Sequence, residues 1–505
     1  ILICMFLAIA YLQKSSMVGK KHLKNFPPGP KPLPLIGNLH MMNMKKPHLT
    51  FMEFSKKYGP VFSIQLGLNK AIVLCGADAV KDALINHGDE FSGRPKIPVF
   101  DQISKGYGVV FADGENWKVM RRFALSTLRD FGMGRKTIED TIVEENLSAA
   151  TFLDKSHFAS SFLNTPAKPF DNTLILNAAV ANIIVHILLN HRFEYQDPTL
   201  IKLIKSVSEN VKIAHYFLKL YNTYPSIMGW IPGSHKTVFE NFQKLSNFLK
   251  ETFTKRRDQL DVNDQRDLID AFLVKQQEDA DNTNLALQFQ EKSSSKKFFH
   301  DENLKVLLGD LFAAGMETTS TTLRWGILMM MKYPDIQKKV QDEIDRVIGS
   351  AEPRLEHRKQ IPYTDAVIHE IQRFANLVPI VLPHSITEDV TFRGYFLPKG
   401  TQVIPLLISV MQDKDYFQKP EEFYPEHFLD SKGNFVKNEA FLPFSVGKRS
   451  CVGETLAKME LFLFFTKLLQ NFTFQPPHGV EVQLTCGDAL TSIPLDHKIC
   501  ALPRS

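Results

Sequence analysis

The chain has 505 residues, of which 44% are hydrophobic and 23% are charged. This composition is typical of a globular protein with a large buried core, and it excludes disordered and collagen-like classes. A formal net charge of only +5, with no zinc-finger spacing and no arginine-rich tract, argues against a nucleic-acid partner.

The N-terminal segment combines an apolar stretch, residues 1–12, with a cluster of lysines that ends at Lys24. The stretch is shorter than the roughly 20 residues that span a bilayer, so it fits either a signal-peptide remnant or a truncated signal anchor. Since no cleavage site precedes the lysines, we expect a truncated membrane anchor over residues 1–13. A basic, proline-rich hinge over 14–30 then leads to one folded unit over 31–505, on the cytosolic side.

Hydrophobic periodicity predicts a mainly α protein with a small β region. Helices are expected at residues 49–58, 117–127, 174–190, 200–218, 238–260, 301–333, 335–348, 364–374 and 454–472. Strands are expected at residues 61–66 and 71–74, with strand-like fragments around 391–396 and 402–407.

The longest predicted helix begins at Asp301, a plausible N-cap, and ends before Pro334. Its middle, residues 313–322, combines Gly315 with a run of threonines, which are poor helix formers. Threonine hydroxyls can also bond to carbonyls one turn earlier and open a local bulge. This stretch is either a tolerated polar patch or a functional site.

Residues 444–453 (FSVGKRSCVG) form the most specific stretch, and they resemble the cytochrome P450 signature at every fixed position. Gly447 permits a tight turn whose N–H groups can point at the sulfur, and Gly453 lets the next helix approach a flat macrocycle. The N-terminus of that helix favours the thiolate of Cys451. The remaining cysteines form no CxxC pair, so neither a disulfide framework nor a zinc site is expected.

The resemblance covers nearly the whole chain and is closest to family 2 of the vertebrate microsomal cytochromes P450. It implies the cytochrome P450 fold, haem b as cofactor, and Cys451 as the metal ligand through an axial thiolate. It also implies a monooxygenase that inserts one oxygen atom of O2 into lipophilic substrates, with residues 31–505 as the catalytic domain. Xenobiotics, steroids and fatty acids such as arachidonic acid are all compatible.

Several polar residues resemble the family's haem-propionate partners. Trp117 and Arg121 stand four apart on one predicted helix face, and a guanidinium suits a carboxylate bidentately. The alternative is a buried tryptophan beside a solvated arginine. The resemblance adds Arg94, His384 and Arg449, although a lone histidine such as His384 is more often structural.

Glu370 and Arg373 stand three apart on one predicted helix face. They are either an ordinary surface ion pair or, as the resemblance implies, the family's Glu-x-x-Arg pair. In the second case His427 is their structural third partner.

The centre of the long helix resembles the family's oxygen-activation motif, with Glu317 as the acid and Thr318 as the alcohol. A hydroxyl beside a buried carboxylate can relay protons. We expect Met316, at the variable position of the motif, to affect pocket shape or water access.

The expected substrate pocket is apolar. By resemblance, its lining comprises residues 97–100, Ala313, Ala314, Val378, Ile380 and Leu490.

No dinucleotide-binding fingerprint is present, so electrons must come from a partner. The resemblance implies NADPH-cytochrome P450 reductase, with cytochrome b5 as a second partner, at the cytosolic face of the endoplasmic reticulum membrane. Candidate basic contacts are Lys118, Arg122, Arg129 and Lys448, each of which also fits an ordinary solvated face.

Two other functions share these motifs. An isomerase or dehydratase of the same fold would need no reductase, and a haem carrier or sensor would have no use for the acid and alcohol pair. The segment 146–163, which is unlike the family pattern, is either a surface insertion or an error of the gene model.

Overall fold

The computed structural model describes residues 25–158, 168–213, 216–289, 296–487, 489 and 491–504. The predicted anchor over residues 1–13 and the predicted hinge up to residue 24 lie outside these ranges. The described chain is mainly α-helical with small sheets, as the periodicity predicted. No helix within the described ranges is both long and apolar enough to cross a bilayer.

The α-helices up to residue 289 are α1 (Pro47–Tyr58), α2 (Ala77–Lys81), α3 (Pro98–Ser104), α4 (Gly114–Asp130), α5 (Lys136–Phe158), α6 (Thr173–Leu189), α7 (Pro198–Ile213), α8 (Tyr216–Thr223), α9 (Pro225–Met228), α10 (Ser234–Arg257) and α11 (Leu268–Phe289). Those after residue 296 are α12 (Asp301–Lys332), α13 (Pro334–Val347), α14 (Pro362–Ala375), α15 (Leu407–Met411) and α16 (Glu454–Asn471). Single 3-10 or π turns lie at Leu39–Met41, Asp82–Asn86, Lys296–Phe298, Leu355–Gln360 and Pro425–Phe428.

The strands are β1 (Val61–Leu66), β2 (Asn69–Leu74), β3 (His384–Ser385), β4 (Val390–Phe392), β5 (Tyr395–Leu397), β6 (Gln402–Pro405), β7 (Phe472–Gln475) and β8 (Cys500–Pro503). The largest sheet has the order β1-β2-β6-β3, in which β2 and β6 are parallel and the other pairs are antiparallel. The strand-like fragments expected around 391–396 are β4 and β5. Arg393 and Gly394 both have positive φ, so they form a tight turn between β4 and β5.

Helix α12 is the centre of the helical part, because most of its residues are buried on all sides. It packs closely against α6, where a Cβ at Gly315 would lie 2.7 Å from the Ile184 side chain. The N-cap is His300 and not Asp301, since the His300 ring accepts a hydrogen bond from the Asn303 N–H. The predicted bulge is absent from α12, which is α-helical throughout.

Periodicity missed the long helices α5 and α11, because their apolar residues follow the helical repeat only weakly. It also missed the short helices α2, α3, α9 and α15. Helix α5 contains the first half of the unusual segment 146–163. There Ala149, Ala150 and Leu153 are buried in the main hydrophobic core, so this half is an integral part of the helical packing. Residues 159–167 lie outside the described ranges.

The chain from 444 to 453 joins two hydrophobic cores. Val446 packs against the core around the large sheet, whereas Val452 packs against the helical core around α12. This position fixes the loop from both sides and delivers Cys451 to the boundary between the two cores.

Candidate functional site

The loop that carries Cys451 is held by close backbone contacts. Gly447 has a φ of +77°, and a Cβ there would lie 1.8 Å from the Leu84 carbonyl oxygen, so only glycine fits. The Cys451 N–H donates to the Phe444 carbonyl at 3.1 Å and closes the loop. Helix α16 begins directly afterwards, at Glu454.

The sulfur of Cys451 retains accessible surface although protein groups enclose it, so it borders an internal cavity. Desolvation raises the pKa of Cys451, and Glu454 adds to this effect. The Gly453 N–H and the positive charge of Arg121 oppose the increase but do not cancel it. The helix N-terminus therefore acts in the expected direction and favours the thiolate, but desolvation by the surrounding protein outweighs it. Coordination to a cation would supply the missing stabilisation, because it deprotonates a thiol.

Three guanidinium groups converge near this cavity, those of Arg94, Arg121 and Arg449. Burial, followed by the repulsion of Arg94 and Arg121, lowers the pKa of Arg449 to about 9. Burial also lowers the pKa of Arg94 to about 10, and Arg121 adds to the decrease. The carboxylate close to them is Asp113, which accepts from Arg449 at 3.1 Å. The cluster is positive overall.

Backbone carbonyls hold each guanidinium in place. Arg94 donates to the carbonyls of Leu382 and Pro383 at 2.8 and 2.9 Å. Arg121 donates to Ser450 at 2.7 Å, next to the cysteine. Arg449 donates to Ser92 and Ala112 at 2.7 and 2.9 Å. These bonds fix positions without neutralising charge, so the cluster suits a ligand with carboxylate groups.

Two further polar atoms are buried here without a hydrogen-bond partner, Nε1 of Trp117 and Nε2 of His384. Buried polar atoms normally have partners, and an unpaired one indicates a ligand or a strained site. Burial, then the charge of Arg94, lowers the pKa of His384 to about 3. The neutral ring therefore donates from Nδ1 to the Phe91 carbonyl, at 2.7 Å. In this neutral form Nε2 of His384 is an acceptor, so the free donor of the two is Trp117 Nε1. Together with the three guanidinium groups it fits a planar group with carboxylates, as haem propionates would.

The central helix meets the cavity at Ala314, which is exposed, and at Ala313 and Thr318, which are half-buried. Surface on these residues, in the middle of a buried helix, must face the interior. The Thr318 hydroxyl donates to the Ala314 carbonyl at 2.6 Å, so the predicted back-bonding is present although the bulge is not.

Glu317 lies on another side of the same helix and is 5% exposed. Its Oε2 accepts from the Ser208 hydroxyl of α7 at 2.7 Å. Burial raises the pKa of Glu317, while Ser208, Arg324 and Lys212 act in the opposite direction. The acid thus faces α7, whereas the alcohol faces the cavity.

Met316 is fully buried in the helical core. It therefore does not line the cavity, and its effect on pocket shape or water access stays a prediction.

Glu370 and Arg373 are both fully buried and form a bidentate pair at 2.6 and 2.7 Å, so the surface-pair alternative is excluded. Arg373 also donates to the carbonyls of Met411, Pro420 and Glu422. His427 lies 3.2 Å from Glu370 through Nδ1, while its Nε2 accepts from the Lys419 N–H, so Nδ1 is the donor. The three residues join α14 to the chain before the cysteine loop.

The predicted lining residues differ in position. Val378, Ile380, Ile97 and Phe100 are half-buried, as residues beside a cavity would be. Val99 is fully buried in a small cluster with Tyr221 and Val238, against which Ile97 and Phe100 also pack, so Val99 itself has no surface toward a cavity. Leu490 lies outside the described residues.

Asp310 was not predicted. One of its oxygens accepts from the N–H groups of Val109 and Val110 at 2.8 and 2.9 Å. The Val110 carbonyl in turn accepts from Arg94 at 3.1 Å. Burial raises the pKa of Asp310 to about 6. The available signal was an isolated aspartate within an apolar helical run.

Comparison with known proteins agrees with this geometry. The family model described as Cytochrome P450 matches residues 27–501. Cytochrome P450 2K4 of Oncorhynchus mykiss is 44% identical over 504 residues, which cover 99% of this chain and 96% of the relative. Cytochrome P450 2C5 of Oryctolagus cuniculus is 43% identical over 506 residues, which cover 99% and 98%. Cytochrome P450 2C23 of Rattus norvegicus is 45% identical over 484 residues, which cover 95% and 93%.

Proposed function

The chain belongs to the cytochrome P450 family, and from this premise we propose a specific division of work among its residues. The protein is a haem-dependent monooxygenase whose cofactor has an axial cysteine thiolate. We assign this ligand to Cys451 and the catalytic domain to residues 31–505. The observation that carries the assignment is the accessible sulfur of Cys451 at a cavity beside a positive cluster.

Bound haem supplies the activation of dioxygen, which side chains cannot perform. Arg94, Arg121 and Arg449 would hold its carboxylates by charge, and Trp117 would donate from its unpartnered Nε1. His384 would donate from Nε2 once a carboxylate beside it favours the protonated ring. The Thr318 hydroxyl would donate a proton toward the cavity. The carboxyl group of the adjacent Glu317 would supply the proton that replaces it. Apolar residues such as Ala313 and Val378 would orient the substrate and exclude water.

The spectrum of the reduced protein with carbon monoxide tests the ligand. We expect a strongly red-shifted Soret band, and we expect Cys451→Ser to abolish it. The buried Cys75→Ser variant is the matched control, because Cys75 lies away from the cavity in the sheet core. A Cys451→Ser protein with an unchanged spectrum would contradict the assignment.

Lipophilic substrates, namely xenobiotics, steroids or fatty acids such as arachidonic acid, are supported by the apolar lining residues. Turnover of a lipid and drug panel, with product identification, selects among them. Product formation that needs no reductase would instead support an isomerase or dehydratase, and no turnover of any substrate would support a haem carrier.

NADPH-cytochrome P450 reductase as electron donor is supported by a basic strip on α4. Lys118, Arg122 and Arg129 follow helical spacing on one face, and Arg122 and Arg129 are exposed. Lys118 pairs with Glu115, and Lys448 pairs with Asp89. Arg122→Gln should slow the first electron transfer, more so at low ionic strength. Cytochrome b5 would use the same strip, and it should therefore compete with the reductase.

Attachment to the endoplasmic reticulum membrane, with the body facing the cytosol, is supported by an exposed apolar patch. Its members are Leu33, Ile36, Met41, Leu68, Ile227, Trp230 and Ile231. The two parts of the patch adjoin, because the Tyr224 hydroxyl donates to the Leu35 carbonyl at 2.9 Å. Trp230 is 87% exposed, and such patches mark interaction sites. Trp230→Ser should weaken binding to phosphatidylcholine vesicles, whereas Val262→Ser, in an exposed loop elsewhere, should not.

A further inference from the structure

The acid and the alcohol of the central helix have different surroundings, and this difference raises the question of how Glu317 is supplied with protons. Thr318 faces the cavity, but Glu317 is buried against α7. Its carboxylate accepts from Ser208 of α7 and from Thr321 of its own helix. Thr321 is 1% exposed, so it offers no path to solvent. A proton path from solvent to Glu317 must therefore run along the contact between helices α7 and α12, which we call the seam.

Ser208 has the properties of a relay group. Its hydroxyl donates to Glu317 at 2.7 Å and accepts from the Asn177 amide at 3.3 Å. A hydroxyl has two lone pairs, so one remains for a water molecule. Ser208 is only half-buried, unlike Glu317, and solvent can reach this side of the seam.

Charged groups mark the outer end of the seam. Lys212, one helical turn after Ser208, has a side chain that is 51% exposed and pairs with Asp496 at 3.6 Å. Next to Asp496, His497 has its Nδ1 on the Leu495 carbonyl, while its Nε2 is buried without a partner. Burial, opposed by that hydrogen bond, lowers the pKa of His497, so its neutral form is favoured.

A buried cation, Arg324, interacts electrostatically both with Asp496 and with the acid Glu317. Arg324 is 3% exposed, and its Nε has no hydrogen-bond acceptor among the described residues. Its charge acts on Glu317, on Asp171 before α6, and on Asp496. Arg324 therefore stabilises the carboxylate of Glu317 after it has given up its proton. This carboxylate is the form that must receive a new proton from solvent.

We propose that Glu317 is refilled with protons through the Ser208 hydroxyl, from water at the seam between α7 and α12 whose outer end carries Lys212, Asp496 and His497. In each transfer Ser208 gives its proton to Glu317 Oε2 and takes one from the water molecule, which regains a proton from bulk solvent, so both the hydroxyl and the water are restored. Ser208 is then a positioning and relay residue that touches Glu317 and not the substrate. The inference rests on the proposed role of Glu317 and Thr318.

The first test follows Glu317 itself in the haem-loaded protein, by infrared titration of the carboxyl band that disappears in Glu317→Gln. Ser208→Ala removes a hydrogen bond that lowers the pKa of Glu317, so the titration midpoint should move to higher pH. Ser208→Thr keeps the hydroxyl and should leave the midpoint in place. Lys212→Gln should raise the midpoint also, whereas Lys205→Gln, exposed and two turns earlier, should not.

The second test measures the share of NADPH electrons recovered in product. Ser208→Ala should lower this share about tenfold, less than the about hundredfold of a lost general acid, because water partly replaces a hydroxyl. Released hydrogen peroxide and the solvent isotope effect on turnover should both increase, and Ser208→Thr should restore all three values.

Two outcomes separate this inference from the proposed function. If Thr318→Ala lowers the product share but Ser208→Ala changes neither that share nor the isotope effect, the proton route is overturned and the function stands. If Thr318→Ala changes nothing either, the proposed role of the acid and alcohol pair is overturned together with the route.

Discussion

The guanidinium carbon of Arg449 lies 3.7 Å from the centre of the Trp117 ring. One face of the indole thus supports a buried cation, while the ring nitrogen remains without an acceptor. The two functions of this tryptophan, stacking and donation, can be separated by substitution.

Trp117→Phe should keep the stacking on Arg449 but remove the N–H donor. A hydrogen bond to a charged group contributes about 1.5–3 kcal/mol, so haem should be lost about tenfold to a hundredfold more readily. Transfer of haem to apomyoglobin measures this change. Trp117→Leu, which removes the ring as well, should have a larger effect, and equal losses in the two variants would argue against a role for the nitrogen.

Gly447→Ala should destabilise the protein more than Gly433→Ala. Both glycines have a φ near +80°, but a Cβ at Gly433 meets nothing within 4 Å, whereas at Gly447 it strikes the Leu84 carbonyl. The backbone conformation alone costs about 1–2 kcal/mol, so any excess reports the close contact. Urea denaturation followed at the Soret band gives both values. Similar midpoints for the two variants would contradict the tight contact at the cysteine loop.

Arg373→Lys should destabilise the fold by about 3–5 kcal/mol, as expected when a buried ion pair is broken. Lysine cannot reproduce the bidentate bond to Glu370 together with three bonds to backbone carbonyls. The exposed pair Lys338 and Asp342 provides the control, since Lys338→Gln should cost less than about 1 kcal/mol. Chemical denaturation of both variants measures these changes in the free energy of unfolding. A loss in Arg373→Lys as small as that in Lys338→Gln would show that the buried pair is dispensable for stability.

Glu460 makes stability depend on pH. It is 1% exposed on α16, contacts the Thr319 hydroxyl, and burial raises its pKa to about 8. Between the unfolded pKa near 4.5 and the folded value, the native state binds more protons than the unfolded state. The contribution of Glu460 to the free energy of unfolding is therefore largest at low pH. It decreases as the pH rises, by about 2 kcal/mol between pH 6 and 8. Glu460→Gln should remove this decrease in urea denaturation at the two pH values, and an unchanged slope would show that the carboxyl is already ionised.

Much of the site could be predicted because its chemistry depends on local patterns. The cysteine loop, the pair of Glu370 and Arg373, and the spacing of Trp117 and Arg121 are each contained in one element or loop. The sequence could not show that Trp117 stacks on Arg449, because these residues are more than 300 positions apart. The same limit applies to Ser208 and Asp310, whose partners lie on other elements.

The secondary structure likewise consists of elements that local sequence predicts and elements that it does not. Strongly amphipathic or buried helices such as α4, α6 and α13 were predicted nearly to their ends. Local sequence failed where tertiary packing decides, as for α5, whose residues Ala149, Ala150 and Leu153 are buried in the main core. It also could not show that desolvation raises the pKa of Cys451, because desolvation depends on the whole surrounding structure.

The parallel pairing of β2 with β6 determines when this protein can assemble during its synthesis. Ala71 pairs with Gln402, more than 300 positions later. At about 5–20 residues per second, a ribosome needs on the order of 20–60 s to make the intervening chain. Until then the strands from the first hairpin have an uncovered edge, which invites aggregation. Molecular chaperones therefore have a long interval in which to act on the nascent chain, and haem capture must come near the end of translation.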